Sequence, residues 1–323
     1  MNRVKLSTVL AASLFSLGAF AAEYNISFQS YYPSSMLQAE REFAKEVNEN
    51  SEGRIEIKVY SGGELVDSSE ILAAVKADVI QMGRGMGHHF TEQSIGGIES
   101  GLPLAWMSID EAEKIYTEDG LFDLVSEEYD NRGVHYLGPI WAAPYHFLSK
   151  RPMNSLEDLK NMKIRAVGAS GKMLKELGVN VVSMPPEDIY LALTTGQIDG
   201  VLYGTAFEYK ETKYYEAARF FNKTPVLNPI VDTLIINDDL WNNLDDDLKN
   251  IVNEASAKLR VSYYNWLASE DEKTIEELFR NTSTEFSDED ISAMKEAALK
   301  IWEQEAQRST NNKKAVDILK NNL

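Results

Sequence analysis

Lys163-Ile-Arg-Ala-Val-Gly168, set between Ser155-Leu-Glu-Asp-Leu-Lys160 and Leu191-Ala-Leu-Thr-Thr-Gly-Gln-Ile-Asp-Gly200, decides how the chain folds. The spacing predicts a short helix, a strand ending near Arg165, a helix from about Ser170, a strand at Val179–Met184 and a helix from Pro186. This order places a permanently charged, planar guanidinium at the carboxyl end of a strand, beside a helix start. Ligands collect at such strand ends in open α/β sheets, and arginine grips a carboxylate through two parallel hydrogen bonds. Arg165 is the first candidate for a binding residue.

Outward from this core the alternation continues. Tyr24–Ser30 and Arg54–Tyr60 read as strands around a Gln38–Asn48 helix, followed by a Ser69–Lys76 helix and a Val79–Gly83 strand. A second alternating set runs from Val134 to about Ile230, and Asp232–Asn237 returns as a strand. Parallel-rich sheets with helices on both faces follow from this pattern. From Asp245 to Arg280, apolar residues recur every three to four positions with no Pro or Gly, predicting one helix of about 36 residues. Such a strut is long enough to lie across two lobes. The expected division is a leader at 1–21, a first lobe of 22–142 plus 231–270, and a second of 143–230 plus 271–323.

The leader reading rests on a basic start, a short apolar run and Ala19-Phe20-Ala21, with cleavage expected after Ala21. That run is shorter than the ~20 apolar residues of a membrane span. With no cysteine in the chain, stability must come from the core. Without Arg3 and Lys5, 30 basic side chains face 51 acidic ones, a net charge of −21. Such a surface repels nucleic acid and anionic lipid, yet a cleft within it can be locally positive.

Several apparent motifs fail on spacing. Gly83-Arg-Gly-Met-Gly87 is G-x-G-x-G rather than a dinucleotide fingerprint, and reads instead as a loop at a cleft mouth, with Arg84, His88 and His89 as ligand contacts. Adjacent histidines converge poorly on one metal, so no metal or cofactor is expected. Gly168-Ala-Ser-Gly-Lys172 lacks the leading glycine and the Ser or Thr of a phosphate loop, which leaves a helix amino terminus able to assist anion binding. Ser170 has no nucleophile elbow. Tyr203, Phe207, Trp106 and Tyr145 are cleft walls or core rings.

Taken together, Ser155-Leu-x-Asp-Leu-Lys, Lys163-Ile-Arg165, Met184-Pro185 and Tyr190-Leu-Ala-Leu-x-x-Gly196-x-x-Asp199-Gly200 closely resemble the signature of DctP-type solute-binding proteins of tripartite ATP-independent periplasmic (TRAP) transporters. Phe43-Ala-Lys-Glu-Val47, Gly53-Arg-Ile-Glu-Ile57, Gly101-Leu-Pro103 and Tyr214–Phe220 extend the resemblance over most of the mature chain. It implies a two-lobed α/β periplasmic binding protein, a sheet flanked by helices in each lobe, a ligand cleft between them, and a long helix that spans both and bends on closure. It also implies a receptor rather than an enzyme, monomeric, delivering a small organic anion to permease subunits driven by a sodium gradient. The rival readings are a secreted α/β enzyme and a receptor feeding a sensor.

By the same resemblance Arg165 falls on the carboxylate-clamping arginine and Tyr203 on a ligand contact. Gln29 falls where sialic-acid members place a polar contact, and Asp67 lies in a loop facing the site. Tyr145 stands where those members carry a second arginine, while Leu202 and Met86 replace their acidic residues. The resemblance therefore points away from sialic acid. It favours a compact ligand with one principal anionic group, a carboxylate or a sulfonate.

Overall fold

The computed structural model describes residues 22–90, 93–184 and 186–323, so the expected leader at 1–21 lies outside the described residues. Strands follow in the order β1 Tyr24–Ser30, β2 Ile55–Tyr60, β3 Met82–Gly85, β4 Val134–Trp141, β5 Tyr145–Ser149, β6 Lys163–Arg165, β7 Asn180–Val182, β8 Gly200–Leu202, β9 Phe220–Leu227, β10 Val231–Asn237 and β11 Ser283–Thr284. They form two sheets, β2-β1-β3-β10-β4 and β11-β9-β5-β8-β6-β7. Each is parallel except where one strand runs against both neighbours, β10 in the first and β5 in the second. All seven residues of β10 are buried, as befits a strand covered on both faces.

The fold is the two-lobed α/β architecture that the sequence implies. The chain crosses between sheets after β4, between β9 and β10, and along a helix. That helix runs over Asp246–Thr274, about 44 Å at 1.5 Å per residue, and continues through wider π-type turns at Ile275–Phe279. Its Tyr263 packs on Tyr32 of the first lobe, ring centroids 5.4 Å apart. Farther along, Trp266 meets Phe207 of the second lobe at 5.4 Å, and Phe279 stacks on Phe221 at 5.3 Å. Behind the second sheet, Leu148, Ile189, Leu193, Val201, Tyr209 and Phe221 form a core of their own.

Two local expectations shift. The third strand begins at Met82 rather than Val79, because the Ala74 carbonyl still accepts the N–H of Val79 at 2.9 Å. Asp78, in the left-handed region at φ 56°, closes that turn and leaves Val79 exposed. The carboxyl terminus also divides differently. Helix Asp288–Ala306 packs on the second lobe's Gly168–Glu176 helix, with Lys172 and Lys300 each 2.7 Å from an acidic partner across the contact. Helix Thr310–Lys320 instead lies on Leu121–Asp130 of the first lobe, where Asn311 donates to Glu128 at 2.9 Å. The terminal helices therefore bridge the lobes. Among the described residues no helix is long and apolar enough to cross a membrane.

Where helix Ala206–Glu211 meets the long helix, a buried carboxylate joins the Phe207–Trp266 ring contact. Asp271 accepts the Phe207 N–H at 2.7 Å, and a capping box joins Thr205 to Glu208. Burial pushes the carboxyl of Glu208 up to about 8, with Asp271 and Asp232, each about 6, adding repulsion. A carboxyl raised in the folded state stabilises fully below its unfolded value near 4.5, and that contribution is lost as pH rises through the folded value. Glu208→Gln keeps the capping geometry but cannot ionise. In urea denaturation we expect it to match the wild type at pH 4 and to exceed it by on the order of a few kcal/mol at pH 9. Parallel pH profiles for the two proteins would contradict this.

Candidate ligand-binding cleft

Four parallel strands, β1, β3, β6 and β8, end toward the space between the lobes, the side where open α/β sheets present their ligand groups. Arg165, 5% exposed, closes β6. Its Nε and Nη2 donate to the carbonyl oxygen of Met184, beyond β7, at 3.1 and 2.9 Å. The Tyr203 ring lies 5.8 Å from its guanidinium carbon, within cation–π range. Among the described residues no carboxylate pairs with Arg165. The backbone thus holds one edge of the fork and leaves Nη1 without a protein partner among those residues.

Tyr145 and Tyr203, both half-buried, sit beside this guanidinium. Burial raises both phenols above their ordinary values, against the opposing pull of Arg165, so both keep a hydroxyl proton to donate at neutral pH. Across the cleft, His88 and His89 occupy the turn that follows β3. Burial, then His89, then Arg165 lower His88 to about 3; burial, then Arg165, lower His89 to about 4. Both imidazoles are neutral at pH 7. The Tyr31 ring meets His89 edge-on at 6.0 Å, and its hydroxyl donates to Asp232 at 3.0 Å.

Of the ten residues singled out by sequence, Arg165, Tyr203, Tyr145, His88 and His89 come together. The other five are engaged elsewhere. Arg84 is wholly buried, with Nη1 2.7 Å from Glu40, Nη2 2.7 Å from Asp232, and the rings of Tyr263 and Tyr32 at 4.0 and 4.9 Å. It is a core ion pair rather than a loop contact. Gln29 accepts from Leu65 and Val66 N–H and donates to the Val66 carbonyl, which ties it to the 61–67 loop. Asp67 is exposed and starts a short 3-10 turn. Trp106 is buried and donates to the Pro229 carbonyl at 2.7 Å, and Phe207 packs on Trp266 of the long helix.

A cavity of about 240 Å³ opens beside these residues, with His88, Gln93 and Ser100 on the first lobe and Tyr145, Val167, Ser170 and Lys172 on the second. Arg165 itself does not line it. Glu305 and Arg308 complete its wall; Lys172 and Arg308 both pair with Glu305, at 2.7 and 2.9 Å. Sequence reasoning missed Gln93, Glu305 and Arg308. More than 130 residues separate Lys172 from Glu305, and no local pattern marks that pairing.

The profile of the bacterial extracellular solute-binding proteins, family 7 (DctP), matches residues 32–309. A monocarboxylate 2-oxoacid-binding periplasmic protein of Nostoc sp. is 27% identical over 237 residues, 69% of this chain and 62% of that protein. The chain thus spans about three-fifths of that relative's length. Among solved structures, a TRAP periplasmic solute-binding protein of Chromohalobacter salexigens with bound (S)-(+)-2-amino-1-propanol superposes with a TM-score of 0.83 at 21% identity, covering 93% of this chain and 95% of that one. A TRAP periplasmic solute-binding protein of Rhodoferax ferrireducens with bound malonate gives 0.82 at 19% identity, covering 92% and 98%.

The histidines report on Arg165 without any ligand. Their lowered values stabilise the fold above the unfolded value of 6.5, and that contribution is lost as pH falls. We expect imidazole NMR titration to find neither His88 nor His89 protonated between pH 8 and 5, and Arg165→Ala to raise both midpoints while burial keeps them below 6.5. Titration of either near 6.5 in the wild type, or no response to Arg165→Ala, would show that the guanidinium does not face them.

Proposed function

We propose that this chain, which belongs to the bacterial extracellular solute-binding proteins of family 7 (DctP), receives a small organic anion in the interlobe cleft and delivers it to the membrane subunits of a TRAP-type permease. The observation that carries the reading is the Arg165 fork. Met184 holds its Nε edge, Tyr203 lies against its face, and neutral His88 and His89 stand opposite. A ligand carboxylate accepts from the free end of the guanidinium and from the protonated Tyr145 and Tyr203 hydroxyls. Neutral imidazoles opposite can add donors without a second formal charge.

A carboxylate is favoured by the Nostoc relative, whose name gives 2-oxoacid monocarboxylates, and by the malonate bound in the Rhodoferax structure. A sulfonate presents similar acceptor oxygens. Tyr145 in place of a second arginine argues against sialic acid. Contacts from both lobes make the ligand stabilise the closed arrangement over the open one, which is the condition for a ligand-driven population shift. Residues 1–21 serve as the export leader, and the mature receptor works in the periplasm as a monomer.

Loss of one partner from a desolvated charge pair costs ~2–5 kcal/mol, so Arg165→Ala should weaken carboxylate binding by roughly 30- to 4000-fold with folding intact. Arg165→Lys should recover little of this, because an ammonium lacks the planar fork. Isothermal titration calorimetry provides the measurement, and near-normal affinity in Arg165→Ala would contradict the assignment.

A further inference from the structure

Residues 305–312, where the chain turns from one terminal helix into the next, are tied to both lobes. Glu305, buried near the end of helix Asp288–Ala306, accepts from Lys172 of the second lobe at 2.7 Å and from Arg308 at 2.9 Å. Burial pushes its carboxyl up, but the two cations outweigh that and hold it below its ordinary value, so it is ionised at neutral pH. At the other end of the turn stands Asn312, wholly buried. Its amide nitrogen donates to the carbonyl of Ser94 in the first lobe at 2.9 Å and back to that of Glu305 at 3.2 Å. Its Oδ1 accepts from the hydroxyls of Ser94 and Ser309 at 3.2 and 2.8 Å, so every bond the amide can make is made.

A second ion pair joins the same two helices away from the cleft. Lys300 lies 2.7 Å from Glu176, so helices Gly168–Glu176 and Asp288–Ala306 exchange a cation for an acid in both directions. Lys300 and Glu176 are exposed, and neither lines the cavity. Beyond this contact the helix reaches the first lobe, where buried Trp302 donates to the Pro103 carbonyl at 3.1 Å. The second-lobe helix is thus linked to the first lobe in two stages, by ion pairs and then by buried hydrogen bonds. Ion pairs open to water are worth little and part readily, whereas a buried amide left unsatisfied is costly. Separation of the lobes at this edge therefore breaks the ion pairs first.

We propose that residues 305–312 form a strap along one edge of the cleft, with the Lys172–Glu305 and Glu176–Lys300 pairs as its release point, and that this strap sets how long a bound ligand is held. The inference rests on the function proposed above and extends it: control of release is assigned partly to Glu176 and Lys300, which lie off the cavity.

Stopped-flow measurement of association and release, with malonate and pyruvate as probes, tests the strap. Lys300→Glu sets two acids against each other on exposed helix faces. It should speed release about threefold or more and leave association within about twofold of wild type. Adding Glu176→Lys to Lys300→Glu restores the attraction with its sign reversed, and should return release to near the wild-type rate. A Lys300→Glu protein that melts at lower temperature yet releases both probes at the wild-type rate would overturn the strap and leave the receptor reading intact. Faster release that the exchanged pair does not mend would do the same. A wild type that binds neither probe would overturn the carboxylate reading on which the strap rests.

Discussion

The Arg84 guanidinium, wholly enclosed and gripped by Glu40 and Asp232, is the interaction on which the first lobe and its cleft wall depend. Five segments converge on it: β3 carries it, the Gln38–Asn50 helix brings Glu40, β10 brings Asp232, and the rings of Tyr32 and Tyr263 cover its faces. A charge so placed forfeits its hydration, and only close opposite charges with well-formed hydrogen bonds offset the loss. Removing the arginine would leave two carboxylates buried together. Asp232 shows the strain of this arrangement: burial pushes it up to about 6, while Arg84 pulls the other way. The same carboxylate accepts the Tyr31 hydroxyl, and Tyr31 packs on His89. The cleft wall facing Arg165 is thereby positioned from the core.

Much of this fold could be read from periodicity. β1 and the Pro186–Thr195 helix begin at the predicted residues, and Arg165 was placed at a strand end because Lys163-Ile-Arg165 sits between two helical patterns. Side-chain assignments failed where the deciding partner is far away. Arg84 and His88 lie four residues apart in one glycine-rich run, yet only His88 lines the cavity, since Asp232 claims Arg84 from 148 residues away. The structure gives those glycines a different reason: a Cβ at Gly83 would lie 2.4 Å from Ile71 and one at Gly85 2.5 Å from Phe90, so this stretch is a packed strand rather than an open loop.

The lobes are joined by elements suited to movement. The long helix passes from Tyr263 in one lobe to Phe279 in the other and loosens into π-type turns at its second end. Asp271 holds the second lobe to it through a backbone N–H, while the Asp288–Ala306 helix packs on the second lobe's Gly168–Glu176 helix and also reaches the first lobe, where Trp302 donates to the Pro103 carbonyl at 3.1 Å. Buried Tyr and Trp rings fix each lobe internally; the cleft itself is lined by half-buried tyrosines and neutral histidines that can exchange contacts. Rigid bodies joined in this way respond to a ligand by changing their relative position rather than their interiors.

That ligand-driven closure is the central claim, and small-angle X-ray scattering of the mature protein with and without its tightest-binding carboxylate tests it most directly. The account predicts a smaller radius of gyration at saturation in the wild type, with no contraction in Arg165→Ala at the same ligand concentration. An unchanged profile in the wild type at proven saturation would contradict it, and would leave a rigid anion site in place of a closing receptor.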